Sequence, residues 1–363
     1  MFGKLKKVTI QMVAGANIAT ILLMFLIGFS DRVNPVSFPV LSNIGLSFPV
    51  FILINLTFLF FWLLFQRRKV WIPIVGFLIC YVPVREYAPL NIKHEVPKGA
   101  IRVMSYNVFL FAGWNSPGTS NGILQYIKKQ HPDILCLQEA GCQEIGQANI
   151  DSVLDKIYPY KQYSHHSSSN SETIALYSKF PIVDSVRINY PSKGNFSVAY
   201  RVTIDEDSVW IINNHLETTG LSQDERKGFK LMMKGEMDHH VAKSTSKLII
   251  TRLGESSAKR AVEADAVSEF IEHHQHESII LCGDFNDGPI SYTHHTIVKK
   301  LIDCYIESGF GPGISYHKGG FFVRIDNIMC TSDWEPFQCN VDNKIKLSDH
   351  YPISCWLKKR SKP

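Results

Sequence analysis

The stretch "LCGDFNDGP", residues 281–289, ends an apolar run with Asp284, Asn286 and Asp287 inside four positions. A turn accounts for the composition, because Gly, Asn, Asp and Pro each help a chain reverse for a backbone reason. The run before it, "SIILC", reads as a buried strand, so these groups stand where a strand leaves the core. Carboxylates and amides are costly to bury there unless paired, hydrogen-bonded or bound to a cation. The other strand-like runs decide between the two readings. "MSYNV" ends near Asn107, "LCLQE" at Glu139, "IINNHLE" at His215, and "LSDHYP" carries Asp349 and His350. Each strand exit bears a residue type that binds metal or phosphate, a recurrence that turn chemistry does not explain.

Strand-like runs fill most of the chain after Ala100: "AIRVMSYNVFL", "PDILCLQEA", "TIALYSKFPIV", "SVAYRVTI", "SVWIINNHLE", "SIILCGDF" and "RIDNIMC". The pattern predicts a helix over Gly122–Gln130. Between Leu221 and His276 a long polar stretch has helical spacing and predicts two or more helices broken near Gly254 and Ser256. Its basic residues read as a solvated face, with a membrane-surface or substrate role as the minority reading. Strands first separated by helices and then clustered point to one large mixed-sheet domain, α/β in the α+β sense, over residues 101–358.

The first 90 residues follow a different pattern. No charged residue lies between Val8 and Ser30 or between Val33 and Gln66. Both runs exceed the roughly 20 apolar residues that cross a bilayer and read as transmembrane helices at 8–30 and 44–66. A third apolar run, "VWIPIVGFLICYVPV" at 70–84, is too short to cross without bilayer thinning or help from its flanks. Residues 91–100 form a linker. Lys4, Lys6 and Lys7 precede the first run and Arg67, Arg68 and Lys69 follow the second, so the positive-inside tendency places both clusters in the cytoplasm. If the third run crosses, the remaining chain faces outward, which is the expected arrangement. The protein is then integral to a bacterial-type inner membrane or plasma membrane, with an extracytoplasmic catalytic domain.

Net charge gives no support for a broad grip on duplex phosphates. Ten of the 38 Lys and Arg and three of the 33 Asp and Glu precede Ala100, which leaves 28 basic and 30 acidic residues beyond it. The eight cysteines are scattered, without metal-ligand pair spacing, and those in strand-like runs such as Cys136 and Cys282 read as small buried hydrophobes.

Taken in order, "SYNV", "LQE", "NNHLE", "GDFND", "RIDNI" and "SDHYP" resemble the endonuclease/exonuclease/phosphatase superfamily, the deoxyribonuclease I-like metallophosphohydrolases, from about Ile101 to Trp356. The resemblance implies a four-layered αββα sandwich in which two facing sheets converge on a divalent-metal phosphohydrolase site. Glu139 is then the first metal ligand, with Asn107 beside it and touching substrate. Oxygen donors suit Mg²⁺, with Mn²⁺ as the alternative. Asp284 is the candidate base or water-orienting group, and Asn286 holds substrate or nucleophile through its amide. Asp287 reads as a turn residue. The resemblance further implies that His350 contacts a nonbridging phosphate oxygen while Asp326 holds its ring in one tautomer and favours the imidazolium. His215 is expected as a second phosphate-facing histidine. Asp349 is expected either to bind metal or to join the nucleophile network. Arg324 is a candidate phosphate contact or a strand ion pair, and Tyr177 a candidate substrate contact or a packing residue.

Tethering places such a site against lipid headgroups at high effective concentration, which favours a lipid phosphodiester or phosphoinositide-like substrate. Nucleic acid is the alternative substrate, and a catalytically silent membrane-bound interaction module is the alternative of another class. Intact Glu139, Asp284, Asn286 and His350 oppose the last reading. Nothing in the sequence calls for a protein partner.

Overall fold

A computed structural model describes residues 2–166 and 169–360. Its strands are β1 (Ile101–Asn107), β2 (Ile134–Gln138), β3 (Tyr160–His166), β4 (Ser169–Ser178), β5 (Ile182–Ile188), β6 (Phe196–Ile204), β7 (Asp207–His215), β8 (Ser278–Asp284), β9 (Ile302–Asp303), β10 (Asp326–Cys330), β11 (Trp334–Val341) and β12 (Ile353–Lys359). Helices α1 (Phe2–Gly28), α2 (Phe48–Phe65), α3 (Trp71–Ile79) and α4 (Tyr81–Tyr87) precede them. Among the strands run α5 (Gly122–Gln130), α6 (Gln147–Leu154), α7 (Gln223–Met233), α8 (His239–His273), α9 (Tyr292–Val298) and α10 (Cys304–Ser308).

The strands form two six-stranded sheets, ordered β11-β12-β1-β2-β4-β3 and β5-β6-β7-β8-β10-β9. One core lies between them, where Val103, Ile134 and Leu176 of the first sheet meet Val198, Ile211 and Ile280 of the second. The opposite face of the first sheet is covered by Leu124, Ile127 and Ile150 of α5 and α6. The opposite face of the second is covered by Ala264, Val267 and Ile271 of α8 and by Ile297 of α9. Helix, sheet, sheet and helix therefore stack in four layers, the αββα sandwich that the sequence leads one to expect.

Local chemistry sets the helix starts. Asn121 caps α5 by accepting from the backbone N–H groups of Ile123 and Leu124, and Asp238 caps α8 through those of His240 and Val241. Ser222 and Glu225 form a reciprocal capping box on α7.

The polar stretch after Leu221 breaks at residues 234–238, and α8 runs unbroken through Gly254 and Ser256. Gly254 has a packing role instead of a breaking one. A Cβ there would lie 3.1 Å from the carbonyl oxygen of Pro39, so the glycine lets α8 pass close to the loop joining α1 and α2. The run "TIALYSKFPIV" divides at Lys179–Pro181 into β4 and β5, which belong to different sheets. The "VFL" that was expected to extend β1 turns away, with Phe109, Leu110, Phe111 and Ala112 all at positive φ. Edge strand β3 was not expected, because its sequence, "YKQYSHH", lacks an apolar alternation.

Residues 4–32 and 41–65 form helices long and apolar enough to cross a membrane, and α3 with α4 makes a pair bent by 70°. Asn17 fastens the first two, donating to Asn55 Oδ1 at 3.0 Å while its own Oδ1 accepts from Trp62 Nε1 at 3.0 Å. Polar contacts are among those that join this segment to the sandwich. They include Asp31 with His295 at 3.0 Å, Asn43 with Ser257 at 3.0 Å, Arg85 with Glu307 at 3.0 Å, and the Glu86 carbonyl with Arg324.

Candidate active site

Register explains why polar groups gather at one end of the sandwich. Each sheet contains a parallel pair, β1 with β2 and β7 with β8, so the carboxyl ends of four strands emerge together. In the first sheet Asn107 faces Gln138, with Glu139 following. In the second, His215 faces Asp284, which in turn faces Asp326 across the antiparallel β8–β10 pair. Beneath them Gln138 Nε2 donates to Asn213 Oδ1 at 2.7 Å, and Asn213 Nδ2 donates to the carbonyls of Leu137 and Ala175 at 3.2 Å. This buried amide network ties the two sheets together directly under the site.

The opening stretch is shaped by close approach. Gly283 has φ +145°, and a Cβ there would fall 2.1 Å from the Asn214 carbonyl oxygen, so only glycine brings β8 this near to β7. Asn286 sits at φ +51°, a left-handed conformation that Asn tolerates better than most residues. Its backbone N–H donates to Asp284 Oδ1 at 2.8 Å and its Nδ2 to the Leu216 carbonyl at 3.0 Å. Asp287 also lines the cleft, but its carboxylate is engaged, accepting from Arg260 Nε at 3.3 Å and Thr293 Oγ1 at 2.9 Å. It is a turn residue with an ion-pair role.

Asn107 links the two sheets, donating from Nδ2 to Glu139 Oε1 at 3.0 Å and to Asp284 Oδ2 at 3.1 Å. Glu139 is itself at φ +49°, and its carbonyl accepts from Leu110 N at 2.8 Å, so the left-handed turn at 109–112 braces it. Desolvation pushes its carboxyl up to about 7, with the negative charges of Asp349 and Asp284 adding to the effect. A cation there would relieve both. His215 is buried with its Nε2 lacking a hydrogen-bond partner among the described residues, 3.7 Å from Glu139 Oε1. Burial holds its pKa below the usual histidine value, so the ring is neutral near pH 7. Glu139 and Asp349, both lining the cleft, are oxygen donors of the kind that a divalent ion takes, and the Asn107 amide is hydrogen-bonded to Glu139 beside them.

His350 lies in the opposite electrostatic setting. Its Nδ1 is 2.8 Å from Asp326 Oδ2 and its Nε2 is 3.5 Å from Asp284 Oδ2. Burial works against the charged ring, yet Asp326, Asp284 and Asp349 outweigh it and raise the pKa to about 10. Although Asp284, Asp326 and His350 are close enough together to hold a metal, an imidazolium has no lone pair to offer one. Within this group the His350 imidazolium is the donor, held charged by the two carboxylates, and it is suited to stabilising an anion. Asp284 is raised above the ordinary carboxylate value, chiefly by burial.

Glu139, Asp284, Asn286, Asp349 and His350 floor a cleft that is open at its mouth. Asn107, His215 and Asp326 lie just beneath that floor. Two expected substrate contacts are absent from it. Arg324 is buried behind the site, donating to the carbonyls of Glu86 and Pro312 and lying over the Tyr305 ring at 4.6 Å, which commits its guanidinium to holding α4. Tyr177 faces the helix layer of the first sheet, where its hydroxyl meets that of Tyr163, and it packs rather than binds.

The cleft also has members that were not singled out from the sequence. Arg226 of α7 donates to the Tyr316 hydroxyl and, at 3.2 Å, to the Leu221 carbonyl, while the Tyr316 ring lies 5.1 Å from that of His350. Apolar Leu46, Leu221, Leu253 and Phe321 complete the wall. The reading of the 221–276 basic residues as a solvated face fails at Arg226 and Arg260, both of which line the cleft. Only the minority reading pointed to them.

Comparison with known proteins agrees with this geometry. Residues 104–350 match the model of the Endonuclease/Exonuclease/phosphatase family, and residues 10–87 match a model described as Domain of unknown function (DUF8431). A DNA-(apurinic or apyrimidinic site) endonuclease of Dictyostelium discoideum is 26% identical over 138 residues, covering 38% of this chain and 36% of that protein. The matched part therefore spans about a third of that relative's length. The fold is similar to that of an endonuclease/exonuclease/phosphatase from Beutenbergia cavernae, with TM-score 0.52 and 16% identity over 73% of this chain and 72% of that one. It is also similar to the human Nocturnin catalytic domain, with TM-score 0.50 and 17% identity over 73% and 97% of the two chains.

Proposed function

Because this chain belongs to the Endonuclease/Exonuclease/phosphatase family, whose members are metal-dependent phosphoester hydrolases, we propose that it is a membrane-anchored phosphodiesterase acting on lipid headgroups. One observation carries the choice of substrate. The cleft that holds Glu139, Asp284 and His350 is walled partly by Asn43 and Leu46, from the start of the second of two helical segments long and apolar enough to cross a bilayer. A lipid phosphate is the phosphoester that stands nearest such a start.

In this reading Glu139, Asn107 and Asp349 hold Mg²⁺, or Mn²⁺ in its place, with His215 supporting Glu139. The ion, when bound, neutralises phosphate charge and favours ionisation of water. Asp284, steadied by Asn107 and the Asn286 backbone N–H, orients the attacking water and accepts its proton. His350, kept charged by Asp326, donates to a nonbridging oxygen, and its interaction strengthens as negative charge builds in the transition state. The Asn286 amide oxygen, to which no described residue donates, remains available to position water or substrate.

The position of the domain relative to the membrane follows the same reasoning. The 31–47 loop and the end of α4 both touch the sandwich, so they share one side with it. Lys4, Lys6 and Lys7 and the Arg67–Lys69 turn fall on the other, which the positive-inside tendency assigns to the cytoplasm. A C-terminal reporter active only outside the cytoplasm should give a signal, and silence from a well-expressed fusion would reverse the orientation.

Nucleic acid is the second reading, supported by the Dictyostelium relative's being an endonuclease. The deciding experiment is a panel of sphingomyelin-type lipid, phosphoinositide and plasmid DNA, offered with Mg²⁺ to the full chain and to Glu139→Ala and His350→Ala. Lipid turnover lost in both variants supports the proposal. Plasmid cleavage without lipid turnover selects the nuclease.

A further inference from the structure

The loop between α1 and α2 does more than connect two apolar helices. It is held against the sandwich along its length. Asp31 pairs with His295 at 3.0 Å near its start, and Asn43 Oδ1 accepts from Ser257 Oγ of α8 at 3.0 Å. Gly45 lies so close to Ile290 that a Cβ would fall 2.2 Å from that residue's carbonyl oxygen. Ile290 in turn joins Met24, Ile27, Phe48 and Cys80 in a shared apolar cluster. Along this stretch Asn43 and Leu46 line the same cleft as Leu221 and Phe321, over the floor that holds Glu139 and His350.

Its remaining apolar side chains are free. Val36, Phe38 and Val40 are 58%, 60% and 57% exposed, and Leu46 is 40% exposed although it stands at the cleft. The connection between two membrane-crossing segments, and the first turn of the second, lie at the bilayer surface, where exposed apolar side chains enter the boundary between headgroups and acyl chains. The cleft is thus polar at its floor, apolar at its wall and continuous on one side with a lipid-facing loop.

From this arrangement we infer that the 31–47 loop is a substrate-binding element. Leu46, with Leu221 and Phe321 opposite, holds the apolar part of a membrane phospholipid adjoining its phosphoester while the lipid is still seated in the bilayer. The membrane segment therefore sets specificity as well as location. This inference rests on the lipid-hydrolase reading of the floor. It assigns Leu46 no chemical role, so its contribution belongs to the capture of lipid and not to the turnover of a small diester.

The test uses the full chain in mixed detergent–phospholipid micelles. Headgroup release from phospholipid is compared with hydrolysis of water-soluble bis(p-nitrophenyl) phosphate, for wild type, Leu46→Asn and Leu46→Met, with thermal midpoints measured alongside. Leu46→Asn should lower the lipid-to-soluble ratio of kcat/KM roughly tenfold, the scale of one lost apolar contact. The loss should fall on the lipid KM, and Leu46→Met should restore most of it. If the wild type hydrolyses lipid and the ratio does not move, or if both substrates lose equally, this inference falls while the function reading stands. A wild type that hydrolyses the soluble diester and no phospholipid overturns both.

Discussion

The floor of the cleft and its wall differ in what fixes them. The floor rests on strand ends whose register is imposed by two sheets and the core between them, so Asp284, and Asn107, His215 and Asp326 just beneath it, cannot move without disturbing the pairing. The wall comes from the α1–α2 connection, helices α7 and α8 and the loop carrying Tyr316 and Phe321, none of which is a sheet strand. A rigid floor suits chemistry that depends on sub-ångström placement, and a wall assembled from loops and helices can change substrate without disturbing it.

The comparison is sharpened most by cutting at the floor. Replacing Glu139 by Ala, or stripping divalent ions with a chelator, should lower kcat roughly 10³-fold for any phosphoester offered, since each removes stabilisation of charge formed in the transition state. Steady-state rates on a soluble diester and on lipid would show whether the loss is uniform.

Asp326→Asn should cost roughly 100-fold at pH 7 and also change the pH profile. The His350 ring carries its proton below about 10, held there by Asp326, Asp284 and Asp349 against burial, with neutral His215 and the Tyr316 ring nearby. The alkaline limb of kcat in the wild type should therefore lie well above neutral pH. Removing the Asp326 charge leaves burial less opposed, so the limb moves toward neutral pH. A limb that stays in place would separate Asp326 from the histidine's charge.

The motifs that could be read in the sequence belong to the floor. "SYNV", "LQE", "NNHLE", "GDFND", "RIDNI" and "SDHYP" were visible because a strand exit packs several chemically distinctive residues into a few positions. The sandwich followed from apolar runs bounded by turns, and α5 from its periodicity and Asn121 cap. The wall was not visible for equally physical reasons. Arg226 lies on an exposed polar helix where one arginine resembles its neighbours, and only the capping box at Ser222 and Glu225 marks that a helix begins there. Leu46 belongs to a long charge-free run, and nothing local distinguishes a leucine facing lipid from one facing a cleft. Arg324 and Tyr177 misled in the opposite direction. Each adjoins a site motif, but strand alternation turns Tyr177 to the helix layer, and the distant Glu86 carbonyl claims Arg324.

Wall substitutions should act on binding. Arg226→Ala removes a cation beside Tyr316 and should raise the lipid KM about tenfold, the worth of one charge-assisted contact, with kcat changed less. A loss confined to kcat would move Arg226 to the floor's side of the comparison. Least affected should be Tyr177→Phe, which removes one hydroxyl contact in the helix layer. It should cost about 1 kcal/mol of stability by denaturant titration while leaving kcat within about twofold.

The most direct test of the floor is the metal dependence of bis(p-nitrophenyl) phosphate hydrolysis by the full chain, wild type against Glu139→Gln. This substrate is indifferent to whether lipid or nucleic acid is the natural one. The wild type should show turnover that saturates with Mg²⁺ and vanishes with chelator, while Glu139→Gln should need far more metal or lose turnover altogether. Chelator-insensitive hydrolysis, or an unchanged metal requirement in Glu139→Gln, would contradict the placement of the metal-dependent centre at the strand ends.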